Sequence, residues 1–204
     1  LKHLDISNTA IEDLSFLRYA ENMEHLNISF TPVQEIDELE NLNALKELYL
    51  TGADIRDFKV LSNFSNLVKL DLSETFFNQP EVFSEMEMLE ELNMSRSNLS
   101  KLTDGMSPET LQKLDISYAF IADLSPLKTY NSLEILNINN TQVESLKPLE
   151  SLKKLEKIYA DNTFVSEQEI DEFIDANPGK LLVVNSEELS EWWTNLNEDW
   201  KDAL

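Results

Sequence analysis

The chain has 204 residues, 42% of them hydrophobic, and 39 acidic side chains stand against 16 basic ones for a formal net charge of −23. That balance argues against nucleic acid and against anionic lipid, both of which need clustered Lys and Arg, and it favours a basic partner. The absence of cysteine excludes disulfides and thiolate chemistry, and the longest aliphatic run, Leu181 to Val184, is far too short to cross a membrane.

The pattern L-x-x-L-x-L-x-x-T-x-L starts at Leu1, Met23, Leu45, Leu67, Leu89, Leu111, Leu133 and Leu155, each start 22 residues after the last. A fixed period of that length with this leucine spacing specifies an α/β leucine-rich repeat solenoid: a curved parallel sheet on the concave face, with short 3₁₀, loop or helix returns on the convex face. Residues 1–184 form the array of about eight repeats plus a closing strand, and residues 185–204 form a separate helical segment.

Each repeat opens with alternation, as in Leu26-Asn27-Ile28 and Leu114-Asp115-Ile116, which predicts a short strand with one buried face. Strands about 4.8 Å apart build a sheet whose stability comes from neighbour contacts. The chain opens on such a strand (Leu1, Leu4, Ile6), so an unpaired edge is expected there, and with it further residues upstream. The ninth repeat position reads Thr9, Thr31, Ala53, Thr75, Ser97, Ala119, Thr141 and Thr163. Its hydroxyls suit local bonds to the backbone, which the two alanines cannot make.

The returns carry apolar residues at fixed positions (Leu14, Leu17, Ala20; Leu124, Leu127, Tyr130) and segments such as Asp123-Leu-Ser-Pro-Leu127, too short for long helices, so single 3₁₀-like turns are predicted. Pro80 in the fourth repeat, and Gly105 and Pro108 in the fifth, predict bulged loops. In the eighth repeat Ser166-Glu-Gln-Glu169 is a capping box that opens a helix to about Ala176, closed by Asn177-Pro-Gly179. Lys180 to Val184 reads as a closing strand. Beyond it, Leu189, Trp192, Trp193, Leu196, Trp200 and Leu204 recur at helical spacing, as a cap over the end of the array, the start of a following segment, or a docking helix.

The phrases Asp13-Leu-Ser-Phe-Leu17, Asp123-Leu-Ser-Pro-Leu127 and Ser145-Leu-Lys-Pro-Leu149 carry a resemblance to bacterial leucine-rich repeat proteins of the internalin-like, 22-residue type. It covers residues 1 to about 184 and departs at the ninth position, where the family often has Asn. It implies a scaffold that binds other proteins on the concave sheet, in a cell-surface or secreted setting rather than a cytoplasmic one.

The solvent-facing strand positions are the candidate binding surface. The fifth row reads Asp5, Asn27, Tyr49, Asp71, Asn93, Asp115, Asn137 and Tyr159, and the seventh is largely Ser. Acids never occupy adjacent rungs of the fifth row, as like-charge repulsion favours. Aromatic residues stand where the strand climbs into the turn: Phe30 and Tyr118 at the eighth position, Phe76, Phe120 and Phe164 at the tenth. Exposed rings carry disproportionate binding energy. The expected ligand-binding set is therefore Phe30, Tyr49, Asp71, Phe76, Asn93, Asp115, Tyr118, Phe120, Asn137, Tyr159 and Phe164.

His3 and His25 share the third row with Glu47 following. These are zinc-ligand types, but three rungs span about 10 Å, so the pair is a weak metal candidate and no metal is assigned. No cofactor is expected. No Ser, His and acid recur at a triad's spacing, and no Gly-rich phosphate loop is present, so the chain reads as non-catalytic. The first expectation for function is a protein-binding scaffold using the concave face and its aromatic rim. A carbohydrate- or envelope-binding surface module, or a structural spacer in a larger protein, stands as the alternative.

Overall fold

The computed structural model describes residues 1–103 and 109–184. The expected breaks at Gly105 and Pro108, and the Trp-rich segment 185–204, lie outside the described residues.

Nine strands of three residues each form one parallel sheet in chain order. They are β1 (His3–Asp5), β2 (His25–Asn27), β3 (Glu47–Tyr49), β4 (Lys69–Asp71), β5 (Glu91–Asn93), β6 (Lys113–Asp115), β7 (Ile135–Asn137), β8 (Lys157–Tyr159) and the closing strand β9 (Leu181–Val183). From β1 to β8 every residue pairs with the one 22 positions later, as in Leu26 with Leu48, so each repeat position forms a row across the sheet. The ladder outlasts the strands. The eighth-position N–H donates to the seventh-position carbonyl of the next repeat, Phe30 to Thr51 at 2.7 Å and Tyr118 to Asn139 at 2.9 Å.

The leucine pattern explains the core. Positions 1, 4, 6 and 11 point away from the open face, and Leu48, Leu70, Leu114 and Leu136 at position 4 are fully buried. Each return closes through a 3₁₀ turn, at Ser15–Leu17, Asp37–Leu39, Lys59–Asn63, Pro80–Glu85, Ser125–Thr129 and Lys147–Leu149. Proline is the first or second residue of three of them, where a missing N–H costs nothing. The bulge expected at Pro80 does not form. Pro80 is itself buried as the first residue of the longest 3₁₀ turn, in a repeat whose core also carries rings. Phe77 packs edge-on to Phe58 at 5.1 Å and against Phe83 at 5.3 Å.

The ninth row behaves as its chemistry predicts. Thr31 and Thr75 donate to the carbonyls three residues earlier, Ile28 at 2.7 Å and Leu72 at 2.6 Å. Where alanine stands, the backbone N–H takes over, Ala53 to Leu50 at 3.0 Å and Ala119 to Ile116 at 3.2 Å.

The eighth return is the helix α1 (Glu167–Ala176), with Ser166 as N-cap accepting from the Glu169 N–H at 3.2 Å. Only half of the expected box forms. The Glu169 carboxylate turns to the previous repeat and accepts from Ser145 Oγ and the Leu146 N–H, both at 2.7 Å, tying α1 to the adjoining 3₁₀ turn. At the other end β1 pairs with β2 alone among the described residues, and Leu4 and Ile6 there are only half-buried.

Candidate recognition edge of the sheet

The open face is built from rows three, five and seven. Row three is a ladder of charge. Glu91 bridges Lys69 at 3.4 Å and Lys113 at 3.0 Å, and one position earlier Glu24 lies between Lys2 and Lys46 and is held down to about 2 by hydrogen bonds from those two ammonium groups. His3 and His25 stack face to face with centroids 4.3 Å apart. His25 Nδ1 sits 2.9 Å from Glu47 Oε2, which also accepts from the Tyr49 hydroxyl at 2.8 Å. Rings stacked in parallel do not aim their nitrogens at one point, and no group of three such side chains is placed to hold a metal ion among the described residues.

The fifth row departs from expectation. Tyr49, Asp71, Asn93, Asp115, Asn137 and Tyr159 were expected as exposed groups, and all six are buried. Three-residue strands set one rung apart crowd these side chains against each other, and they spend their polar atoms on the fold. Each Asp or Asn accepts from the N–H two residues on, as in Ser73 to Asp71 at 2.7 Å and Ser95 to Asn93 at 3.0 Å. Each Asn amide then donates to the carboxylate one rung back, Asn93 to Asp71 at 3.2 Å and Asn137 to Asp115 at 3.3 Å. Alternation of acid and amide therefore forms donor–acceptor pairs as well as separating charges. Burial still dominates the acids. It pushes the Asp115 carboxyl up to about 7, and Asp71 is raised likewise, against the hydrogen bonds from their serines and asparagines.

The two row-five tyrosines are equally committed. Burial first, then the neighbouring Glu47 carboxylate, raises the Tyr49 hydroxyl far above its ordinary range. Tyr159 lies under the Lys157 ammonium at 4.7 Å and packs on Val183 and Ile135.

Beyond the fifth row the chain turns, with the Asx bond in the repeats that have Asp or Asn there and without it in those that have Tyr49 or Tyr159. Every described eighth-position residue has positive φ, from 53° at Asn162 to 62° at Gly52, and the set includes Phe30 (54°) and Tyr118 (58°). Asn and Gly accept that conformation readily, whereas bulky side chains rarely do. The turn throws positions eight and ten outward along one edge of the sheet. There the predicted aromatic residues are exposed: Phe30 50%, Phe76 63%, Tyr118 37%, Phe120 57% and Phe164 66%.

These five rings belong to repeats two, four, six and eight, and the intervening repeats carry none at either position. The smaller partners of the rings were not anticipated. The Phe30 ring lies across Gly52 of the next rung, so close that a Cβ there would meet it at 2.6 Å. The Arg96 guanidinium stacks on Tyr118 at 3.9 Å. Both partners share the eighth row with their rings, so the 22-residue offset was the signal that pairs them.

Comparison with known proteins follows the same lines. A family model described as leucine-rich repeats (2 copies) matches residues 109–151. A search of curated protein sequences found no match. Among solved structures, an internalin of Listeria monocytogenes superposes with TM-score 0.81 at 22% identity, over 92% of this chain and 56% of that one. An internalin C2 of the same organism gives 0.82 at 19%, over 90% and 80%. A leucine-rich repeat protein of Leptospira interrogans gives 0.84 at 22%, over 90% and 48%. The chain thus spans about half the length of the first and third of these. Leucine-rich repeat proteins serve generally as binding scaffolds rather than enzymes. By repeat period, sheet order and likeness to these structures, the chain has the leucine-rich repeat fold, and its fold is similar to that of bacterial internalins.

Proposed function

We propose that this protein is a non-catalytic scaffold that binds another protein along the aromatic edge of its sheet. The observation that carries the reading is the placement of Phe30 and Tyr118. Each is a large exposed ring held at positive φ, a conformation costing of the order of 1 kcal/mol for such a residue, with half or a third of the ring still in water. Neither the core nor the turn needs an aromatic there, since Asn8, Asn140 and Asn162 make the same turn. Exposed rings in a row supply the apolar anchors that binding surfaces use. The buried fifth row, including Tyr49 and Tyr159, supports the edge from beneath and leaves recognition to Phe30, Phe76, Tyr118, Phe120 and Phe164.

The likeness to internalins supports a surface or secreted setting, and no helix among the described residues is long and apolar enough to cross a membrane. A Tyr118→Ala, Phe120→Ala double variant is expected to keep the wild-type melting temperature within about 2 °C, because both rings are exposed. It is expected to lose partner capture in a pull-down from surface-protein extracts by at least about tenfold. Unfolding of the variant would mark the rings as core, and undiminished capture would move recognition elsewhere.

A further inference from the structure

The aromatic edge has a period of its own. Rings occur on alternate repeats, so successive anchors lie two rungs apart, about 9.6 Å at the usual spacing of parallel strands. The spacing persists out to position ten, where backbone bonds still join the rungs: Phe120 N–H to the Leu99 carbonyl at 2.9 Å, Gln142 to Ile121 at 2.8 Å and Phe164 to Val143 at 2.8 Å. From Phe76 through Phe120 to Phe164, all at position ten, the row covers roughly 19 Å, and Phe30 stands beside its end at position eight.

A bound chain that meets every ring with an equivalent face must repeat at about that distance. A polyproline II helix presents the same face every three residues at about 3.1 Å each, or roughly 9.3 Å. Over the two intervals of the row its error accumulates to about 0.6 Å. An α-helix returns a similar face after two turns, roughly 10.8 Å, and drifts by between 2 and 3 Å over the same row. A β-strand repeats its face every second residue at about 6.6 Å or every fourth at about 13 Å, matching neither. Aromatic rings are also the surface on which proline-rich segments dock, and the Phe30 ring against Gly52 and the Tyr118 ring under Arg96 are each held in place by a neighbour.

Charge chooses among such segments. The rows that carry the rings also carry the exposed carboxylates Asp54 and Glu74, with Arg96 engaged on the Tyr118 ring. The whole chain bears −23.

We infer that the aromatic edge binds an extended, proline-rich segment of a partner protein that carries Lys or Arg between its prolines. This rests on the reading of the edge as a protein-binding surface and names the chemistry of what it binds. The test is fluorescence anisotropy at physiological salt with a labelled peptide of Pro-Pro-Arg triplets, about twelve residues long so that it covers the row. A Gly-Gly-Arg peptide of equal charge and a Pro-Pro-Glu peptide serve as comparisons.

Saturable binding of the first peptide is expected. It should weaken at least about tenfold in a Phe76→Ala, Phe120→Ala variant, and by a similar factor when glycine replaces proline; the acidic peptide should not bind. Equal binding of the Pro and Gly peptides would reduce the effect to bare charge and overturn the inference. So would indifference to the two rings, or Phe120-dependent binding of an envelope oligosaccharide with no peptide binding. If partner capture depends on Tyr118 and Phe120 while the Pro-Pro-Arg peptide neither binds nor competes, this inference fails and the protein-binding reading stands.

Discussion

Asp115 illustrates how one side chain can carry two opposed demands. Its carboxylate accepts from the Ser117 N–H at 2.8 Å and from the Asn137 amide, yet its burial lifts it to about 7 from a value near 3.9 in the unfolded chain. A carboxyl raised on folding favours the fold in its neutral form. Its contribution is fully present below about pH 4 and is lost as pH rises through about 7. Asn27, Asn93 and Asn137 make the same turn bond without a charge. Asp115→Asn is therefore expected to stabilise the protein more at pH 8 than at pH 5.5, by a difference on the order of 2 kcal/mol. Urea denaturation at the two pH values measures it, and a gain that does not change with pH would contradict the burial argument.

At the scale of elements, α1 shows how a return that has become a true helix is held to the array. Ser166 caps it from within, while Glu169 is used between repeats, on Ser145 and Leu146. Glu169→Ala removes two hydrogen bonds to a carboxylate and leaves a backbone N–H of the adjoining turn without its acceptor. That should cost about 1–3 kcal/mol, confined to the end of the array. Amide exchange is expected to quicken across 167–176 and at Leu146 while the amides of β2 to β5 keep their protection. Uniform loss of protection would mean that α1 and the sheet open as one unit. The Pro80 turn is the counterpart case. A residue unsuited to the core pattern was accommodated beside Phe77 and Phe83 of the same repeat, and Phe58 of the third repeat packs edge-on to Phe77 at 5.1 Å, a contact that no reading of the fourth repeat in isolation supplies.

For the molecule as a whole, a stack in which each repeat meets only its neighbours should distribute stability by position. Leu92 in β5 is buried between rungs on both sides, whereas Leu4 in β1 is half-buried with a rung on one side only among the described residues. Leu92→Ala is expected to cost about 2–5 kcal/mol and Leu4→Ala about half as much or less. Comparison of their denaturation midpoints and slopes decides the matter, and equal costs would show an array that does not weaken toward this end.

Much of this architecture follows from the 22-residue period alone. The in-register strands, the leucine rows, the 3₁₀ returns, the helix after Ser166 and the closing strand are set by local spacing and by the need of each repeat for a neighbour. The edge aromatics were legible too, because positions eight and ten lie next to the turn whatever their neighbours do. Burial of the fifth row was not, since Asp71 or Tyr49 is polar enough to read as solvent-facing until adjacent rungs close over it. Nor was the αL turn under Phe30 and Tyr118, or the fit of Phe30 over Gly52. Those depend on atoms 22 residues apart meeting at van der Waals distance, and only the folded stack brings them there.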